Sequence, residues 1–287
     1  MLLYVLYLCG SVSVVAQPLT QREACAKFSD AIVSIDAGGE SRGSGFLVSA
    51  DGLILTAAHV VHDESGAIHG AIAVTLADGS LEFASVAFPE SLDSMGKDFV
   101  LLRIAPKKPL PFLQIGGDDD VVIGADATII GFPFSAISPQ GDNVTAKFCL
   151  SAAFAGMQGI MRPVKGTWKG PKGAILPINQ NISVKVIYFQ GPSVKGISGS
   201  PIIARDNGRV VGIVTTKLAG IGEYLADVER QTASPGNGSL TVGNLDFFPT
   251  VHQIVTVLDQ QLANGLGSAT GIDAPADILR DIQRKKK

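Results

Sequence analysis

The chain has 287 residues, of which 46% are apolar and only 17% are charged, against roughly a quarter charged in an average globular protein. That balance excludes a largely disordered chain, and a net charge of −3 gives no electrostatic basis for binding nucleic acid. Glycine is abundant, at 33 residues, and together with 15 prolines it predicts short strands joined by tight turns rather than long helices.

Residues 2–16, LLYVLYLCGSVSVVA, form an apolar run shorter than the about 20 residues a membrane-spanning helix needs. Val14 and Ala16 are small residues set like a signal-peptidase site. Residues 1–16 therefore read as a signal peptide cleaved before Gln17, giving an exported protein with no stable membrane span in its mature chain. The basic residues that ordinarily precede such a run are missing, the first being Arg22, which keeps a buried strand or an uncleaved anchor open. Removing the signal removes Cys9 and leaves Cys25 and Cys149, either bridged in an oxidising compartment or both free. The four histidines, His59, His62, His69 and His252, show no spacing of a metal set, and no Cys-x-x-Cys occurs, so neither metal nor cofactor is expected.

After the signal, Thr20 and Glu23 form a capping-box pattern that predicts a short helix. Strand-like runs follow at 31–35, at 45–49 and 53–56 around Asp51-Gly52, at 71–76 and 81–88 around Asp78-Gly79, and at 99–104. The stretch 107–120, rich in Pro, Gly and Asp, reads as a connector. Strands resume at 121–123, 127–130, 147–153, 182–188, 201–204, 210–216 and 239–242. No helix separates them, so the pattern predicts an all-β, antiparallel fold rather than βαβ units. Val251, Ile254, Val255, Leu258 and Leu262 then recur at helical spacing, which predicts a C-terminal helix at about 249–263, followed by a short tail over 264–287.

Three segments carry chemistry. His59 stands in Thr56-Ala57-Ala58-His59, where a strand ends. Asp98 opens the apolar run Phe99-Val100-Leu101-Leu102. Ser198 stands in Gly196-Ile197-Ser198-Gly199-Ser200-Pro201, a glycine-rich turn before a strand. A serine hydroxyl is a weak nucleophile near neutral pH and needs an adjacent base. A histidine can take that proton and return it to a leaving group, and a buried aspartate fixes its tautomer and stabilises the imidazolium. The N–H groups of Gly196 and Ser198 are the candidate oxyanion-hole donors, each worth roughly 3–4 kcal/mol where such donors have been removed. Singly, each segment is weak evidence. Together they give the order His, Asp after 39 residues and Ser after a further 100, one of the known chain orders for the same geometry.

With these residues in view, the chain resembles the chymotrypsin-like (trypsin-fold) serine peptidases. Gly43-Ser44-Gly45-Phe46-Leu47-Val48 running into Thr56-Ala57-Ala58-His59, the turn Ile130-Gly131-Phe132-Pro133 and the Gly-x-Ser-Gly-Ser-Pro loop resemble the bacterial Deg/HtrA-type and glutamyl-endopeptidase-like branch, with no PDZ domain expected. The resemblance implies two packed six-stranded antiparallel β-barrels within a protease domain at 17–262, the first at about 30–115, the second at about 121–245, then the C-terminal helix. It implies a His59–Asp98–Ser198 triad in the cleft between the barrels and protein or peptide substrates, cleaved as by a serine endopeptidase through an acyl-enzyme.

Ile197 departs from the pattern. Digestive members carry an Asp there that pairs with a freshly cut N-terminus, so no activation by that switch is expected. In the substrate pocket, Pro192 stands where a preference for basic residues requires Asp. Thr215, Thr216 and Lys217 form the opposite wall, Lys217 pointing either into the pocket or to solvent. The segment 162–172 places four positive charges around the only Trp, Trp168, and reads either as a docking loop for an anionic partner or as a solvated loop. The competing functional reading is a protease-fold binding or chaperone-like protein with little turnover. The natural substrate and the oligomeric state are not given by the sequence.

Overall fold

The computed structural model describes residues 17–39, 41–63, 67–87, 97–133, 146–169, 175–191, 196–217 and 266–271. The signal-like run, the strand expected at 239–242 and the helix expected at 249–263 lie outside the described residues.

Helix α1 (Gln21–Phe28) begins where the capping pattern places it. The Thr20 hydroxyl accepts the Glu23 N–H, and the Glu23 carboxylate accepts the Thr20 N–H at 2.8 Å. The strands β1 (Ile32–Ala37), β2 (Ser41–Leu47), β3 (Leu53–Thr56), β4 (Ile72–Thr75), β5 (Leu81–Val86) and β6 (Val100–Arg103) close into a barrel of order β1-β2-β3-β6-β5-β4. It consists of two three-stranded meanders, β1–β2–β3 and β4–β5–β6, joined by the β1–β4 and β3–β6 pairings. The turns at Asp51-Gly52 and Asp78-Gly79 make both predicted hairpins. Ile35, Phe46, Ile54, Leu55 and Leu102 are fully buried in its core cluster.

The second barrel takes β7 (Asp126–Gly131), β8 (Phe148–Lys169), β9 (Ile175–Gln190), β10 (Pro201–Ala204), β11 (Val210–Lys217) and β12 (Leu266–Gly271), in the order β10-β11-β12-β9-β8-β7. Phe154, Ile187, Phe189 and Ile202 are buried within it. The two barrels share apolar packing, since Ile130, Ile203, Val210 and Ile213 of the second join the core of the first. The expected fold, two six-stranded antiparallel barrels, is the fold observed.

Three expectations are corrected. The segment 162–172 reads in the sequence as a loop, but 162–169 is strand, paired residue for residue with β9 from Arg162↔Ile182 to Lys169↔Ile175. Ladder hydrogen bonds from the partner strand override the weak strand propensity of its Gly, Pro and Lys residues. The second barrel does not end near 245 with a tail from 264. Leu266–Gly271 is the strand between β9 and β11 that closes it. The strand expected at 121–123 is instead a turn leading into β7, with Val122 and Ile123 exposed.

Cys25 and Cys149 are bridged, with their Cα atoms 5.8 Å apart. The bond ties α1, which precedes the first barrel, to β8 of the second. Beside it, the Gln21 amide donates to both sulfurs, and its oxygen accepts from the Thr128 hydroxyl at 2.9 Å. The Leu19 N–H donates to the Arg205 carbonyl at 2.9 Å, so the N-terminal segment is tied to the second barrel while its Ala24 and Phe28 are buried in the core cluster of the first. Among the described residues no helix is long and apolar enough to cross a membrane.

Candidate active site

The pairing of β3 with β6 brings the first two candidate residues together. Thr56, the last residue of β3, stands opposite Val100, the first of β6. His59 follows Thr56 by one short turn, the 3-10 segment Ala58–Val60. Asp98 precedes Val100 by two residues. The ends of two paired strands therefore deliver both side chains to one corner of the first barrel. Asp98 grips His59 with both carboxylate oxygens. Oδ1 accepts the His59 backbone N–H at 3.0 Å, and Oδ2 faces Nδ1 at 2.8 Å. A carboxylate is acceptor-only, so Nδ1 carries the proton toward it and Nε2 keeps its lone pair. Among the described residues Asp98 is the one non-glycine with positive φ, at 56°. Aspartate tolerates that region better than most residues, and such backbone conformations cluster at functional sites.

Asp98 is largely covered, while the His59 ring is 46% exposed. Burial of the ring pulls its pKa down, but the hydrogen bond and negative charge of Asp98 outweigh that, and the net direction is up from the ordinary histidine value.

Ser198 comes from the second barrel, in the turn that enters β10. Ile197 beside it is 2% exposed and packs in the second-barrel core. The turn is stitched to strand β11, with Gly199 N–H donating to the Val214 carbonyl at 2.7 Å and Val214 N–H to the Ser200 carbonyl at 2.9 Å. It is stitched to the first barrel through β2. Ser44 N–H donates to the Ser198 carbonyl at 2.8 Å, and the Ser44 hydroxyl donates to the Gly196 carbonyl at 2.8 Å. Gly43 lies where the two halves of the site meet. A Cβ there would fall 2.6 Å from the Val60 side chain, next to His59, and 3.0 Å from the Ser198 carbonyl. Only a residue without a side chain lets the histidine turn and the serine turn approach across β2. Gly199 is fixed in identity twice over, by φ of +84° and because a Cβ would lie 1.9 Å from the Ser44 carbonyl oxygen.

Of the candidate pocket residues, Thr215 is buried at the irregularity in β11 between Val214 and Thr216. Thr216 and Lys217 stand in β11 opposite Ser268 and Gly267 of β12. Pro192 lies outside the described residues. Sequence reasoning missed Ser44 and Thr56, whose hydroxyls are buried in the joint between the barrels. A serine in a strand carries no signal of its own, although both residues fall inside the two motifs that carried the resemblance.

Two six-stranded barrels, with a His–Asp pair on one and a glycine-bounded serine turn on the other, define the class of chymotrypsin-fold proteins. Comparison with known proteins agrees: the chain belongs to the trypsin-like peptidase domain family, whose model matches residues 43–213. Its relatives are serine proteases of the Deg/HtrA type. It is 33% identical over 178 residues to mitochondrial serine protease HTRA2 of Bos taurus, covering 62% of this chain and 32% of that protein. It is 31% identical over 184 residues to a probable periplasmic DegP-like serine endoprotease of Chlamydia trachomatis serovar D, covering 64% of this chain and 30% of that one. It is 39% identical over 100 residues to the putative protease Do-like 14 of Arabidopsis thaliana, covering 34% and 22%. The chain thus spans about a third or less of the length of these curated relatives.

Proposed function

We propose that the chain is an exported serine endopeptidase in which His59, Asp98 and Ser198 form the triad. The observation that carries this reading is the two-point grip of Asp98 on His59, at 3.0 and 2.8 Å, beside a cross-barrel joint that holds the serine turn. In the first step, the Ser198 Oγ attacks the carbonyl carbon of the scissile peptide bond while its proton passes to His59 Nε2. Asp98 remains ionised and stabilises the imidazolium. The negative charge that develops on the substrate oxygen is met by the N–H groups of Gly196 and Ser198. His59 then gives its proton to the leaving nitrogen, the C–N bond breaks and an ester to Ser198 remains. Water, deprotonated by His59, hydrolyses that ester by the same steps in reverse.

Export rests on the signal-like N-terminal run, and it fits a Cys25–Cys149 bridge, which persists in oxidising compartments. Protein or peptide substrates are carried over from the family.

The test is labelling with a fluorophosphonate probe near neutral pH, followed by digestion of an unfolded protein such as casein. Labelling and digestion by the native chain, both lost in Ser198→Ala, is the expected result. A folded native sample that does not label overturns the enzyme reading. Labelling without digestion favours the binding or chaperone-like alternative.

A further inference from the structure

We infer that Ser44 is a positioning residue for the candidate oxyanion hole, acting through the backbone of the nucleophile turn. The inference rests on the serine-peptidase reading above. Three successive carbonyls of the turn are held on its protein side. The Gly196 carbonyl accepts from the Ser44 hydroxyl at 2.8 Å, the Ile197 carbonyl from Ser200 N–H at 3.0 Å and the Ser198 carbonyl from Ser44 N–H at 2.8 Å. Ser44 supplies two of these three restraints. A peptide unit is planar, so fixing a carbonyl fixes the N–H on the other side of the same plane. The Gly196–Ile197 plane joins the peptide unit that carries the Gly196 N–H to the one that carries the Ser198 N–H. Rotation of that plane would misalign the two donors relative to each other. Gly196 has no side chain to resist the rotation and sits at φ +90°. The restraint comes instead from the Ser44 hydroxyl.

Ser44 is built for this task. It is fully buried and each of its polar atoms is used. Besides donating to Gly196, its hydroxyl accepts the Phe132 N–H at 2.8 Å, and its carbonyl accepts the Thr56 hydroxyl at 2.7 Å. Phe132 follows β7 of the second barrel and Thr56 ends β3 of the first, one turn before His59. The residue that orders the nucleophile turn is thereby tied, through its backbone carbonyl, to the segment bearing the candidate base. None of these groups titrates near neutral pH, so the restraint holds equally across the working range of His59.

The experiment measures the second-order rate of fluorophosphonate labelling across pH for the native chain and Ser44→Ala, with folding checked by circular dichroism. The expected result is a folded variant that labels about ten- to a hundredfold slower, the scale of loss for a small misplacement at a reacting centre. Its pH midpoint should match that of the native chain, because the His59–Asp98 pair is untouched. A merely structural role would lower the melting temperature and leave the labelling rate of the folded protein alone. Labelling of folded Ser44→Ala within twofold of native overturns the inference, as does a rate loss that comes with a displaced pH midpoint. If Ser44→Ala does not fold, the nearly isosteric Ser44→Cys, a weaker donor, takes its place. It should label more slowly than native, and a native rate overturns the proposal. If the native chain itself does not label, the peptidase reading has failed and the inference falls with it. If the native chain labels and the variants match it, only the inference fails.

Discussion

The two barrels have the same strand count and pairing sense, yet they hold their parts of the site by different means. The first is local: its strands run four to seven residues, and all lie between Ile32 and Arg103. His59 and Asp98 are brought together inside it by one strand pair, β3 and β6, with no help from the second barrel. The second is assembled from distant chain, with β12 arriving nearly fifty residues after β11, and two of its strands run to 22 and 16 residues. Its Ser198 turn relies on what it packs against, namely Ile197 in the core behind, β11 at one side and Ser44 of the other barrel in front. The His59–Asp98 pair is thus a property of one barrel, whereas the geometry of the Ser198 turn is a property of the joint between them.

Four measurements sharpen or break this contrast. Neutralising Asp98 as Asp98→Asn should keep the fold and lower kcat about 10⁴-fold, the scale of loss when replacing a triad carboxylate by an amide leaves the histidine in the wrong tautomer. That is roughly 5.5 kcal/mol of barrier at 1.36 kcal/mol per decade. A small loss would mean that the first barrel's pair is structural. Truncating Ile197→Ala should lower stability by about 2–5 kcal/mol, the range for emptying a buried aliphatic site, read as a fall in melting temperature and in labelling rate. The pH midpoint of labelling should not move, and a shift would show that the two halves are not separable. Replacing both cysteines, Cys25→Ser with Cys149→Ser, should lower stability by about 2–4 kcal/mol in chemical denaturation. Labelling of the folded protein should stay within a few-fold, since the bridge ties α1 to β8 and touches neither half of the pair.

The smallest effect is a pH shift. Asp98 holds the His59 pKa above its ordinary value, so kcat/KM should rise with pH to a midpoint above about 6.5. The same shift favours the protonated form in the folded state. Its contribution to stability is therefore present below the unfolded-state pKa and is lost as pH rises through the folded one. A midpoint below 6.5 would mean that desolvation of the ring outweighs the carboxylate.

Much of the fold was legible because its signals are local. Thr20 with Glu23, Asp51-Gly52 and Asp78-Gly79 each act within a few residues, and each forms the predicted cap or turn. His59, Asp98 and Ser198 stood out because the spacing of three motifs is written in the chain. What was not legible depends on partners far away in sequence. β12, with two glycines, a serine and an alanine among six residues, is a strand only because β9 and β11 leave a gap of its width. The bridge joins residues 124 apart, a distance that no spacing rule supplies. Ser44 looks like any serine in a strand until the second barrel brings Gly196 and Phe132 to it.

The long β8–β9 hairpin bears on self-association. Pairing of β8 with β7 stops at Ala153, and pairing of β9 with β12 stops at Val186. From there to Lys169 and Ile175 the two strands pair with each other over a reach of about 40 Å at roughly 3.3 Å per residue. Among the described residues neither outer edge of this ribbon pairs with another strand, and an unpaired edge is the template on which sheets add further chains. Proline interrupts such an edge. The ribbon carries Pro163 and Pro177, neither of which has an N–H to donate to a further strand. The two prolines thereby limit how far a further strand can pair along the ribbon.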